Sequence, residues 1–311
     1  MSALRISRAF QRAKTFHAKA LPSTTRQYAS SSGVFDAATY APESRFNSTA
    51  VDKMLSKSIL NKVPEAEAKS RIELAATYRL FGQQGWNENI YNHLTAKVVE
   101  PDGTENFLIN AFGLHYNEIT ASSLIKISID GDVINPGSTD GVFGVNEAGA
   151  LHRARPDVNA VMHSHYPPAA GISCTKQGLL ELAQTSHQTG PVAYHDYDGV
   201  VVDRDEQKSL IEDIGDKNVM FLRNHGVITA AESIGATWYL MYQLLAASEI
   251  QCWASACAIG DKQNLFLPAQ KVVQKTFDIT RGKQFSGAKY GVKELSAYMR
   301  VLDKQDATYR N

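Results

Sequence analysis

Cysteine is scarce in this 311-residue chain, which holds only Cys174, Cys252 and Cys257. Three scattered thiols exclude a disulfide framework and a zinc knuckle, and they fit a reducing compartment. Cys252 and Cys257 fall on an expected helix, five residues apart, a spacing that does not put them on one face. No apolar run approaches bilayer-spanning length. Net charge is missing too. The 32 basic and 32 acidic side chains cancel, which removes any whole-molecule electrostatic argument for a nucleic acid or an anionic membrane as partner. There is no internal repeat, and no linker stands out after residue 64.

Acids are absent from residues 1–35, which carry Arg5, Arg8, Arg12, Lys14, Lys19 and Arg26 before Asp36 appears. Arg5, Arg8 and Arg12 share one helix face, and Ile6, Phe10 and Ala13 share another. This basic, serine-rich, amphipathic pattern is that of a mitochondrial presequence, and Arg26-Gln27-Tyr28-Ala29-Ser30 resembles a matrix-processing site with cleavage after Tyr28. The expected location is the matrix. The alternative is a basic tail on a cytoplasmic or cytoskeletal protein. Residues 36–63 then read as a Ser/Ala/Asn-rich arm, residues 64–285 as one folded domain, and residues 286–311 as a terminal helix and polar tail.

The apolar content, 43%, is enough for a large core. Pro64-Glu65-Ala66-Glu67 opens a helix that runs to Gly82 or Gly85, with proline and acids suited to its positive end. From residue 90 the apolar period becomes two. Residues 92–99 and 106–110 flank the turn Pro101-Asp102-Gly103, and residues 125–133 give a further strand and turn. A helix follows Val145-Asn146-Glu147, residues 158–165 are a strand, and the chain is looser to about 190. Short strands are expected at 191–195 and 219–223. A long helix from Glu232 to about Ala258 must be buried on most sides, and a last helix covers 292–303. Tyr194, Tyr197 and Trp238 are expected as core or interface aromatics.

The 158–165 strand organises the chemistry. Positions i and i+2 of a strand face the same way, so His163 and His165 project together. The 219–223 strand ends in Asn224-His225-Gly226, which supplies a third imidazole in a matching context. Three imidazoles make an ordinary divalent-metal site, with zinc favoured. Paired strand histidines also occur as core residues that satisfy local hydrogen bonds.

Several separate stretches together resemble the class II aldolase/adducin family, in its adducin-like branch. They are Tyr91-Asn92-His93-Leu94-Thr95-Ala96, Ile109-Asn110-Ala111-Phe112-Gly113-Leu114, Ile119-Thr120-Ala121-Ser122-Ser123-Leu124, Asn135-Pro136-Gly137-Ser138-Thr139, Ala154-Arg155-Pro156-Asp157, His163-Ser164-His165 and Leu222-Arg223-Asn224-His225-Gly226. The resemblance implies a three-layer α/β/α domain on a largely antiparallel sheet, commonly a homotetramer with active sites between subunits. It implies His163, His165 and His225 as ligands of a divalent metal, usually Zn2+, and Glu147 as fourth ligand or general base. The chemistry implied is stabilisation of an enediolate, a step shared by retro-aldol cleavage, epimerisation, dehydration and decarboxylation.

Two departures qualify it. Where the family's sugar-phosphate aldolases cradle phosphate, this chain has Asn92-His93, Phe112-Gly113 and Val145-Asn146. Phenylalanine cannot donate to phosphate, and the glycine that admits an anion is gone. Thr95 and Gly113 are what remains of the cradle, and His93 is a candidate substrate contact. A non-phosphorylated hydroxy- or keto-acid is therefore the expected substrate class. The segment from Asn146 to Asp157 is also about five residues shorter than in relatives, which would turn Glu147 by about 140° against the following strand. Either the helix is re-registered or the transcript is shortened. His152, on the same segment, and His187 and His195 are read as structural. The competing function is a non-enzymatic, adducin-like scaffold for actin. The presequence-like start and the lack of a lysine-rich tail favour a lyase-type enzyme acting on a small molecule.

Overall fold

The computed structural model describes residues 58–135, 145–196, 204–281 and 289–311, with the side chains at 135, 145–148 and 204–206 left out. The presequence-like segment, most of the arm, Tyr197, the Pro136–Thr139 part of one family motif and the Glu147 side chain lie outside the described residues.

The chain first forms α1 (Glu65–Gln84), where Pro64 precedes two first-turn acids, Glu65 and Glu67. Gly85 ends it in the left-handed conformation at φ 66°. Two antiparallel strands follow, β1 (Leu94–Val99) and β2 (Glu105–Ile109), then β3 (Ile125–Ser128) and β4 (Val133–Asn135). Helix α2 (Val145–Ala154) leads into β5 (Ala160–Ser164), and two short helices, α3 (Pro167–Ser173) and α4 (Gln184–Thr189), fill the stretch expected to be looser. Next come β6 (Val192–His195), α5 (Arg204–Ile214), β7 (Val219–Leu222), β8 (Gly226–Ala231), the long α6 (Ile234–Cys257), α7 (Gln270–Arg281) and α8 (Val292–Gln305).

These strands make one eight-stranded sheet in the order β4-β3-β2-β1-β5-β8-β7-β6, antiparallel except for the β6–β7 pair. Period two along the strands sorts side chains between its faces. Ala160, Met162, Val219, Phe221, Val227 and Ala231 join the core under α1, α6 and α8. Val161, Met220, Leu222, Ile228 and Ala230 join the second core with Leu151 of α2 and Leu210 and Ile214 of α5. The architecture is the expected α/β/α arrangement on a largely antiparallel sheet.

Two elements differ from the sequence reading. Strand β8 sits where only a lead-in to α6 was expected. It is buried at every position, so it lacks the polar–apolar alternation that marks a half-exposed strand. Helix α6 is buried on most sides as expected through Ser248, but its end is open, with Trp253 67% exposed. The polar tail also docks: Tyr309 is wholly buried, and the amides of Ala121 and Ser122 bond the carbonyls of Tyr309 and Asn311, both at 2.8 Å. Among the described residues no helix is long and apolar enough to cross a membrane.

Candidate metal centre

Three backbone features deliver three imidazoles to one end of the central strands. His163 is the penultimate residue of β5, and His165 follows the strand's last residue, Ser164. Ser164 points to the opposite face, where its hydroxyl donates to the Trp86 carbonyl at 2.7 Å. His225 stands in the tight turn between β7 and β8. Asn224 there adopts φ 56°, a conformation asparagine tolerates, and the His225 amide closes the turn on the Leu222 carbonyl at 3.2 Å. Gly226 follows for a steric reason: a Cβ there would lie 2.5 Å from the Ser164 carbonyl oxygen and 2.9 Å from the His165 ring. Only glycine lets β8 approach β5 this closely with His225 against His165.

The rings converge. Their centroids are 4.6 Å (His163–His165), 4.9 Å (His163–His225) and 4.5 Å (His165–His225) apart, and one ring nitrogen from each lies within 4.8 Å of the others. The outer hydrogen bonds set the tautomers. Nδ1 of His163 faces the Val227 carbonyl oxygen at 3.0 Å, which can only accept, so Nδ1 holds the proton. Nδ1 of His165 meets the Glu88 carboxylate and donates in the same way. With both rings neutral, the two Nε2 atoms turn bare lone pairs toward each other, 2.7 Å apart. Neutral rings repel in that arrangement, and a cation between them relieves it. His163, His165 and His225 would hold such an ion through one ring nitrogen each, with modest shifts of the rings.

Burial, reinforced by the neighbouring imidazoles, holds His163 well below the ordinary histidine value. Burial, and the repulsion a protonated His165 would add, bring His225 down to about 4, although Glu88 opposes this. Unprotonated rings are what metal binding needs.

The other sequence candidates fall at different distances from the triad. His93 is beside it: its ring centroid is 5.4 Å from that of His163, its carbonyl accepts the His163 amide at 3.1 Å, and burial lowers it to about 4. Thr95 instead pairs with His152, Oγ1 to Nε2 at 3.0 Å, beside a cavity of about 10 Å³. That volume is about one probe sphere, room for at most a single water. Burial drives His152 down to about 3, and its ring lies 4.4 Å from that of Phe107, so its role is in the core. Gly113 takes φ 106° in the turn after β2, where neighbouring Phe112 packs against Tyr91. The backbone of Glu147 lies in the first turn of α2. His187 is tied to the Glu181 carbonyl at 3.2 Å and His195 to Asp213 at 2.7 Å. A cleft of about 240 Å³ lined by Lys97, Asn159 and Ser233 opens at the opposite strand ends, away from the triad.

Glu88 was not apparent from the sequence. It occupies the irregular segment between α1 and β1, and nothing in a Trp-Asn-Glu-Asn string ties an acid to a histidine 77 positions later.

Comparison with known proteins agrees with this fold. Residues 72–252, more than half of the chain, match the family model described as the class II aldolase and adducin N-terminal domain. An adducin-related protein of Schizosaccharomyces pombe is 64% identical over 92% of this chain and 90% of its own length. The solved structure of an aldolase II superfamily protein from Pseudomonas syringae superposes with a TM-score of 0.75 at 36% identity, covering 82% of this chain and all of that one. An L-fuculose 1-phosphate aldolase from Glaciozyma antarctica gives 0.67 at 26% identity, covering 81% of this chain and 98% of that one. This chain belongs to the class II aldolase and adducin family.

Proposed function

We propose that the chain is a divalent-metal-dependent lyase-type enzyme acting on a small hydroxy- or keto-carbonyl compound without a phosphate group. The observation that carries this reading is the convergence of the His163 and His165 Nε2 atoms, 2.7 Å apart, with His225 completing the set. These three residues would hold the metal, zinc by preference, which supplies Lewis-acid polarisation of the substrate's oxygens. The likeness to an L-fuculose 1-phosphate aldolase supports carbon–carbon bond chemistry. Two residues support a substrate without phosphate. His93 is kept neutral by burial and offers no positive charge, and Phe112, packed on Tyr91, offers no donor. His93 and the Gly113 turn would border the substrate, with Thr95 behind them. Glu147 is the carboxylate we assign to proton transfer. The test is zinc supplementation followed by a screen of hydroxy- and keto-acids. Turnover of at least one, lost in a His163→Ala/His165→Ala variant and reduced at least a hundredfold in Glu147→Gln, is expected. Zinc-loaded protein that turns over only the phosphorylated members of a matched sugar set would overturn the substrate class.

We also propose that the protein self-associates, as a tetramer by family analogy, and that residues 1–35 direct it to the mitochondrial matrix. A reporter carrying those residues that stays cytosolic would remove the second point. The likeness to an adducin-related protein favours one other reading, a scaffold for actin. Pelleting of the purified chain with actin filaments would support that scaffold, and its absence is expected here.

A further inference from the structure

The loop that holds Glu88 is built rather than merely present. Trp86 anchors one end, with its ring edge-on to Phe81 and Tyr242 at centroid distances of 5.3 and 5.7 Å. Its carbonyl takes the Ser164 hydroxyl from between the two ligand histidines, and the same hydroxyl oxygen accepts the Tyr166 amide at 3.1 Å. At the other end Asn92, buried and at φ 40° in the left-handed region that asparagine tolerates, accepts the Glu88 amide on Oδ1 at 2.9 Å. The Tyr91 amide returns to the Glu88 carbonyl, also at 2.9 Å. Together these contacts set one carboxylate against Nδ1 of His165 while that ring's Nε2 faces His163.

We propose that Glu88 is the positioning carboxylate of the metal centre: it fixes the tautomer and orientation of His165 and thereby sets the affinity for the ion. The inference rests on the metal reading above. Among the three ligands, His163 is oriented by a backbone carbonyl that no side-chain substitution removes, whereas His165 takes its orientation from a side chain. A carboxylate behind a ligand imidazole makes the facing nitrogen a stronger donor, and losing such a partner weakens metal binding by about 10–100-fold. Glu88 touches the ligand's outer nitrogen, so it acts through His165 and is not itself a ligand. Its side chain is 56% exposed and carries no core packing, so its removal leaves the fold intact.

Zinc affinity, measured by competition with a chromophoric chelator, tests this on the full chain and on Glu88→Ala, Glu88→Gln and Asn92→Ala. Glu88→Ala should bind zinc about 10–100-fold more weakly, with the unfolding midpoint of the metal-free protein unchanged. Glu88→Gln keeps an acceptor oxygen without the charge and should fall between Glu88→Ala and wild type. Asn92→Ala frees the loop and should weaken binding in the same direction. Wild-type affinity in Glu88→Ala would overturn the role of Glu88 while leaving the triad standing. A wild-type chain that takes up no zinc would overturn the metal reading and this inference with it.

Discussion

At the scale of single residues, the 2.7 Å approach of His163 Nε2 to His165 Nε2 depends on a neighbour with no side chain. A Cβ on Gly226 would lie 2.5 Å from the Ser164 carbonyl, so Gly226→Ala must push β8 off β5. A destabilisation of about 1–3 kcal/mol is expected, with zinc affinity falling alongside. Urea unfolding with and without zinc checks both, and a variant of wild-type stability and affinity would contradict the packing described. His152 gives a pH test away from the metal. Its folded value, about 3, lies below the unfolded value of about 6.5. Above pH 6.5 it contributes nothing. As pH falls through the window from about 6.5 to about 3, the unfolded chain takes up a proton that the fold refuses, so stability declines. The slope from this one residue is about 1.4 kcal/mol per pH unit. Denaturant titrations between pH 6 and 4 should show that slope reduced by one proton in His152→Asn, and an unchanged slope would refute it.

At the scale of elements, the sequence was most readable where burial is one-sided or ends are marked. Helix α1 declares itself through Pro64, two acids and Gly85. The β1–β2 hairpin does so through its turn, and His163 and His165 through the period of a strand. The gathering of His163, His165 and His225 could therefore be expected from the sequence. Strand β8 could not be separated from α6 because Val227-Ile228-Thr229-Ala230-Ala231 is apolar on both faces and runs into a long apolar helix. Helix α4 is six mostly polar residues, too short for a periodic signal, and α5 shows its core only Leu210 and Ile214. Glu88 and the partner of His152 were opaque for another reason, since the pairs are 77 and 57 positions apart and only the folded sheet joins them. The tail is the same case. Tyr309 is buried with its hydroxyl on Asp303 at 2.6 Å, inside a stretch that composition alone marks as polar. Tyr309→Ala should cost about 3–5 kcal/mol, on the scale of other buried aromatic truncations. A loss under about 1 kcal/mol in chemical unfolding would mean that the tail does not hold α1 and α8 together.

At the scale of the whole molecule, the end of α6 and the segment after it expose Trp253 (67%), Ile259 (89%), Phe266 (94%) and Leu267 (56%). Large apolar side chains exposed within one short stretch of sequence are the candidates for the contact that the proposed self-association requires with a second copy of this chain. Light scattering after size exclusion should find wild type as a multimer and Trp253→Glu/Phe266→Glu at lower mass. A wild-type monomer would contradict self-association. The family, the fold and the triad converge on one claim, that the three histidines hold a divalent ion. The most direct measurement is the metal content of the purified chain after zinc supplementation and desalting, beside His163→Ala/His165→Ala. About one zinc per chain, absent from the variant, is the expected result. Folded wild-type protein that retains no zinc would contradict it.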